Sequence, residues 1–173
     1  VGAAPGPRWC PHPARRGRRS SGYNITVLMI DADYKRPESV LVIVYNTAGE
    51  VLMLQRREPP DFWQSVTGSL EWDETPLAAA RRELREETGL DIDVTDCLQS
   101  HTFPILPAWR ERYAPGTPET LEHVFTVRCP GHPAVTLNPQ EHQTFCWLAR
   151  TAAAARASSY TNRDAILEHV PAA

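Results

Sequence analysis

The sequence predicts an α/β fold: a mixed β-sheet with helices on both faces. Three features carry that expectation. An apolar, β-branched run, Ser39–Tyr45, is followed by a turn and a second strand-like run, Val51–Arg56. A helix with start and stop signals occupies Pro76–Thr88. Two alternating segments, His123–Arg128 and Gln143–Leu148, precede two helical stretches, Thr151–Ala157 and Asn162–Val170.

Taken in order, Val1–Gly22 is rich in Pro, Gly, Ala, Ser and Arg and has neither helical nor strand period. Residues 1–33 are expected to form a disordered basic extension and 34–173 the folded domain. A native start at Met29 would make the first 28 residues an upstream-start or expression artefact; a basic nucleic-acid arm and a targeting peptide are the functional alternatives. Ser39–Tyr45 reads as a buried strand, Asn46–Gly49 as a turn, and Val51–Arg56 as the returning strand of a hairpin. Pro59-Pro60-Asp61 breaks that strand, and Phe62–Thr67 leads into a loop, Gly68–Glu74. Thr75 suits the N-cap, Pro76 the first helical position and Gly89 the left-handed residue past the helix end. Leu77, Ala80 and Leu84 form the expected docking stripe. Leu90–Val94 and Leu98–Phe103 are weaker strand candidates. Pro104–Pro118, with four prolines, is a long irregular segment, and loops of that length are often functional. Glu141 and His142 fall on a loop before the last strand, and the final helix should bury Ala165, Ile166 and Val170.

Glu83, Glu86 and Glu87 stand at i, i+3 and i+4 of the predicted helix, so three carboxylates share one face. A solvated helix surface is the ordinary meaning of such a pattern. Like charges at i, i+4, however, cost about 0.2–0.5 kcal/mol per pair, and the helix dipole disfavours anions in the last turns. A divalent cation would relieve both costs, and magnesium favours carboxylate oxygen.

Gly68, Glu74, Arg82, Glu83, Leu84, Glu86, Glu87, Gly89 and Leu90 resemble the Nudix hydrolase signature, G-x5-E-x7-R-E-U-x-E-E-x-G-U with U aliphatic. The resemblance implies a Nudix-type α/β/α sandwich and Mg²⁺- or Mn²⁺-assisted hydrolysis of a diphosphate linkage. It implies metal ligation by Glu83 and Glu87, with Glu86 beside them and Glu141 reaching over from a late loop. Glu86, Glu87 and Glu141 all stand as candidates for the general base. Arg82 is expected to pair with Glu86 or to brace the loop at Glu74.

The segments Tyr34–Pro37, Leu54–Arg57, Asp61–Ser69, Arg112–Gly116 and Ser159–Arg163 further resemble the branch of the family that acts on a pterin triphosphate in folate synthesis. That likeness implies substrate contacts at Lys35, Arg56, Thr67, Phe103, Pro104, Ile105, Leu106 and Ser159. Lys35 is the sole lysine beside 17 arginines, Arg56 can clamp phosphate in bidentate fashion, and Phe103–Leu106 offers an apolar wall. Hydrolysis of nucleoside triphosphates or dinucleoside polyphosphates is the alternative. It shares the metal helix and differs in the base pocket.

Composition sets the outer limits. At 173 residues, 42% hydrophobic and 23% charged, the chain suits one globular domain. The net charge is −3, yet the first 28 residues carry five arginines and no acid, so the remainder holds −8. An acidic body disfavours nucleic acid as a partner, and no apolar run approaches the ~20 residues of a membrane helix. Cys10, Cys97, Cys129 and Cys146 show no C-x-x-C spacing and read as reduced cytosolic thiols, and the histidines suggest no ligand cluster. Within those limits, the partner that the resemblance implies is a small-molecule pterin triphosphate, and the protein is expected to be a cytoplasmic monomer or weak homo-oligomer.

Overall fold

The computed structural model describes residues 34–172; the expected basic extension and the Met29 start lie outside the described residues. The first strand, β1 (Glu38–Asn46), organises the sheet. Its Val40, Val42 and Val44 enter one core cluster, while Leu41 and Ile43 enter another on the opposite face. Burial on both faces explains why this strand reads as a continuous apolar run rather than an alternation. At the end of β1 the Asn46 side-chain oxygen accepts from the amides of Ala48 and Glu50, and the chain returns as β2 (Glu50–Arg56). Next come β3 (Trp63–Gln64), β4 (Val66–Ser69), α1 (Pro76–Thr88), β5 (Thr95–Pro104), β6 (Glu119–Cys129), β7 (His142–Ala149), α2 (Arg150–Arg156) and α3 (Tyr160–His169).

One edge of β1 runs parallel to β6, from Glu38 opposite Leu121 to Asn46 opposite Cys129, and β5 adds antiparallel to β6. The other edge divides. Its first half pairs with β4, its last turn meets β2, and β2 carries β3 and β7. The sheet is thus mixed and seven-stranded. α1 packs on one face, with Ala79, Ala80 and Leu84 buried among Val40, Val42, Leu52 and Phe125. α2 and α3 cover the other, where Ala165, Ile166 and Val170 are buried with Leu41, Met53 and Val124. The expected α/β/α layering is present.

α1 has the expected bounds and caps. The Thr75 hydroxyl accepts from the Ala78 amide at 3.3 Å, and Gly89 adopts φ 71° with its amide on the Arg85 carbonyl. Its docking stripe differs from expectation, because Leu77 is 36% exposed and Ala79 is buried in its place. The two alanines carry no bulk beyond Cβ, so the first turns meet the core through them. Leu90–Val94 is not a strand. Leu90 and Val94 are buried, but the Leu90 amide bonds to the Thr88 hydroxyl rather than to a neighbouring strand. Alternation there reports burial without pairing. A short 3₁₀ helix, Pro107–Arg112, interrupts the segment expected to be irregular, and His142 opens β7 instead of ending the loop. Cys97, Cys129 and Cys146 are free thiols. Among the described residues no helix is long and apolar enough to cross a membrane.

A buried polar tie fixes α3 to the start of β4. Asn162, 1% exposed, accepts the Ser65 amide and donates to the Ser65 hydroxyl, both at 2.9 Å. Asn162→Ala would strand a buried donor, so it should lower the unfolding free energy by about 1–3 kcal/mol. Urea denaturation checks this; a loss within error would show that water satisfies Ser65.

Candidate active site

The motif residues of α1 and its preceding loop converge on one guanidinium. Arg82 grips Glu74 with two bonds, at 2.9 and 2.8 Å, and donates to Glu83 at 2.7 Å, Glu86 at 3.1 Å and the Ser69 carbonyl at 3.1 Å. Both expected roles, pairing with Glu86 and bracing the loop at Glu74, are present. Arg36 staples the same loop from outside, donating to the carbonyls of Glu71, Trp72 and Glu74 and pairing with Glu38 at 2.7 Å. Gly68 is needed where it stands. A Cβ there would lie 1.8 Å from the Glu83 carboxyl carbon, so only glycine lets this carboxylate come against β4.

The three helix carboxylates are not equivalent. Glu86 is exposed, whereas Glu83 is 8% and Glu87 only 1% exposed, which overturns the reading of the glutamates as one solvated face. Their side of the last turns lies against β4 and the loop before β7 rather than in water. Burial raises the Glu83 pKa to about 7, against the opposing pull of Arg82, and burial with Glu141 nearby raises that of Glu87. One Glu87 oxygen takes the Thr67 amide at 3.3 Å; the other is buried without a hydrogen bond.

That unpaired oxygen faces the loop before β7. Ligand atoms of Glu87, Glu141 and His142 lie within 4.8 Å of one another. The His142 ring is fully enclosed, its Nε2 is 3.3 Å from the Glu87 oxygen, and burial lowers its pKa. Backbone bonds hold this loop to the end of α1 and to β2. The Asn138 amide reaches the Glu87 carbonyl, Thr136 reaches Thr88, and Arg57 reaches the Glu141 carbonyl. Crowded, under-bonded carboxylate oxygens beside an imidazole fit a hard divalent cation, which the donor set would neutralise.

A cavity of about 1070 Å³ opens beside these carboxylates. Lys35, Arg56, Thr67, Phe103, Pro104, Leu106 and Ser159, all expected as substrate contacts, line it together with Glu83, Glu86 and Glu141. Lys35 sits among Arg112, Arg56, Glu83 and Glu141; burial and then Arg112 lower its pKa. Thr67 faces the cavity with its hydroxyl accepting from Gln64 at 3.1 Å, while its amide serves Glu87. One expectation changes. Ile105 is 3% exposed and absent from the lining, its amide bonding to Pro118 and its carbonyl accepting from Arg110. The Ser159 hydroxyl also caps α3 by accepting from the Asn162 amide, which leaves its O–H as a donor.

Three contributors escaped the sequence reading. His142 was set aside with the other histidines, although its place beside Glu141 was a usable signal. Arg36 lay in the Tyr34–Pro37 segment that carries the resemblance but was given no role there. Glu122, buried in the cavity wall, lay just before the expected strand His123–Arg128 and carried no signal of its own.

The raised pKa values set a sign for pH dependence without metal. Between about 4.5 and 7 the folded protein retains a proton on Glu83 that the unfolded chain has lost, so this group's contribution to stability falls as pH rises through that window. In EDTA, the melting temperature of wild type minus that of Glu83→Gln should decrease from pH 5 to pH 8. Adding Mg²⁺ at pH 8 should raise the wild-type value. A difference that does not change with pH would mean Glu83 is ionised throughout.

Comparison with known proteins agrees with this geometry. A NUDIX domain profile matches residues 35–170. The dihydroneopterin triphosphate diphosphatase of Escherichia coli K12 is 43% identical over 148 residues, covering 82% of this chain and 97% of that protein. The Haemophilus influenzae protein of the same name is 42% identical over 143 residues, 79% and 89% of the two chains. Among solved structures, the E. coli dihydroneopterin triphosphate pyrophosphohydrolase superposes with a TM-score of 0.75 at 43% identity, covering 79% of this chain and 97% of that one. A Listeria monocytogenes structure described as a NUDIX hydrolase, at 22% identity and TM-score 0.65, shares the fold. With the complete signature on α1 and its flanking loops and a profile match from Lys35 to Val170, the chain belongs to the Nudix hydrolase family.

Proposed function

We propose that this enzyme hydrolyses dihydroneopterin triphosphate to dihydroneopterin monophosphate and pyrophosphate. The observation that carries the reading is a single cavity with two kinds of wall. Glu83, Glu86, Glu141 and the cations Lys35, Arg56 and Arg112 line it, and so do the apolar Phe103, Pro104, Leu106, Phe62 and Trp109. The charged set suits a metal-bound polyphosphate and the apolar set a flat heterocycle. Relatives that match at 42–43% identity over nearly their whole length bear the same substrate in their names. An RNA pyrophosphohydrolase from Halorhodospira halophila is 52% identical over 62 residues, but that stretch is only 33% of its length and supports the reaction class alone.

Glu83, Glu87 and Glu141 would hold the divalent ion, Mg²⁺ or Mn²⁺, with Glu86 beside them and His142 as a further donor. Bound there, the ion would neutralise phosphate charge and make a coordinated water more acidic. Lys35, Arg56 and Arg112 would take the outer phosphate oxygens and orient the chain of phosphates along the cavity. Glu141 is the proton acceptor we favour. It is exposed to water, whereas Glu87 is buried and Glu86 is paired with Arg82. Arg82, held by Glu74, Glu83 and Glu86, would position the ligand carboxylates and not touch substrate. Thr67 would present its hydroxyl to a phosphate beside the ligand site.

Glu87→Gln tests the reading. Glutamine keeps the shape and removes a buried charge, so the metal-free variant should melt no lower than wild type at pH 8. Turnover should fall by roughly 100-fold or more, since even partners of metal ligands are worth 10–100-fold. The wild-type reaction should release pyrophosphate and a pterin monophosphate in equal amounts. Near-normal turnover by the variant would remove Glu87 from the ligand set. A wild-type preference for ATP over the pterin triphosphate would sink the substrate assignment.

A further inference from the structure

Glu122 takes no part in the chemistry described above, yet it is among the most enclosed acids of the fold. It is 6% exposed, lines the cavity, and its Oε2 has no hydrogen-bond partner. Burial raises its pKa to about 7, with the Thr161 hydroxyl pulling the other way; no cationic group contributes. Two hydroxyls share its situation. Ser39 stands directly opposite Glu122 in the parallel β1–β6 register, and Thr120 is two residues earlier on the same face of β6. Ser39 Oγ and Thr120 Oγ1 are also buried without partners, and both line the cavity.

Such a set is costly to leave unbonded, because buried polar atoms in native folds are ordinarily satisfied. A second metal ion is a poor occupant, since one carboxylate with two hydroxyls is a weak donor set for a hard cation. A pair of parallel N–H donors is a good one: an ionised carboxylate accepts two such bonds side by side, and charge-assisted bonds of this kind are among the strongest in proteins. The 2-amino-4-oxopyrimidine edge of a pterin presents that pair, the ring N3–H and the exocyclic amine, with a carbonyl oxygen adjacent. An adenine edge places an acceptor nitrogen beside its amine and would meet the carboxylate with a lone pair.

We propose that Glu122 is the specificity-determining residue of the ring pocket, its carboxylate accepting N3–H and the 2-amino group of the pterin while Ser39 and Thr120 serve the 4-carbonyl. This rests on the proposed function and identifies the part of the substrate that the signature helix does not read. Phe103, opposite Thr120 in the β5–β6 register, and Leu106 line the same cavity and offer the ring apolar surface.

Two measurements test it. In the wild-type holoenzyme with Mg²⁺, neopterin, which lacks the phosphates, should inhibit about 10–100-fold better than the corresponding lumazine, in which oxygen replaces the 2-amino group. Glu122→Gln should raise KM for dihydroneopterin triphosphate and lower kcat/KM about 10–100-fold, while Mg²⁺ uptake and inhibition by inorganic tripolyphosphate stay at wild-type values. Should that variant melt without cooperativity, the pair of inhibitors on wild type decides the matter. Equal potency of the two rings, or no inhibition by either, in an enzyme that cleaves the pterin triphosphate overturns the Glu122 assignment alone. Absence of any turnover of the pterin triphosphate overturns the substrate reading, and the assignment with it.

Discussion

The buried Glu87 carboxylate is the constraint around which the catalytic half of the molecule is arranged. An acid enclosed to 1% exposure, with Glu83 one turn away and Glu141 across from it, is expensive in isolation. It persists because neighbouring elements each supply part of a cradle. The Thr67 amide at the start of β4 meets one oxygen, and the His142 ring closes over the other. Arg82 supplies positive charge to Glu83 and Glu86 without reaching Glu87, which leaves the deepest carboxylate free for a cation.

Geometry follows from that constraint. α1 can bring Glu83 against β4 only because Gly68 lacks a side chain, and the loop before α1 keeps its course because Arg82 and Arg36 hold it from two sides. The loop carrying Glu141 is fastened to the C-terminal end of α1 through Asn138 and Thr136. Donors from distant parts of the sequence therefore share rigid backbone connections, which is what a metal site needs if its ligands are to keep their spacing.

How much of this could be read beforehand depended on the range of the interaction. Helix α1 was legible to the residue, because Thr75, Pro76 and Gly89 act within one turn of where they stand. The strands β1 and β2 were legible because their burial on two faces leaves an apolar run in the sequence itself. Leu90–Val94 misled for the opposite reason: alternation records which side chains are buried and carries nothing about whether a neighbouring strand is in reach. The depth of Glu87 was also invisible, since helical spacing gives a face but not what lies against that face. His142 and Glu122 acquire their meaning only through tertiary neighbours, Glu87 for the one and Ser39 for the other.

Glu87 and Glu122 present the same elementary problem, an enclosed carboxylate with an unbonded oxygen, and their surroundings call for different answers. Around Glu87 stand other carboxylates and an imidazole, a set rich in electron-pair donors that a cation would satisfy as a whole. Around Glu122 stand hydroxyls, each able to donate as well as accept, so a neutral ligand bearing both N–H and C=O groups completes the set. A pterin triphosphate carries both complements in one molecule, anionic oxygens for the metal end and a donor–acceptor ring edge for the other. The signature helix alone distinguishes no member of the Nudix family from another; it is the chemistry of the second acid, on a strand the signature does not include, that separates a pterin from an adenine nucleotide.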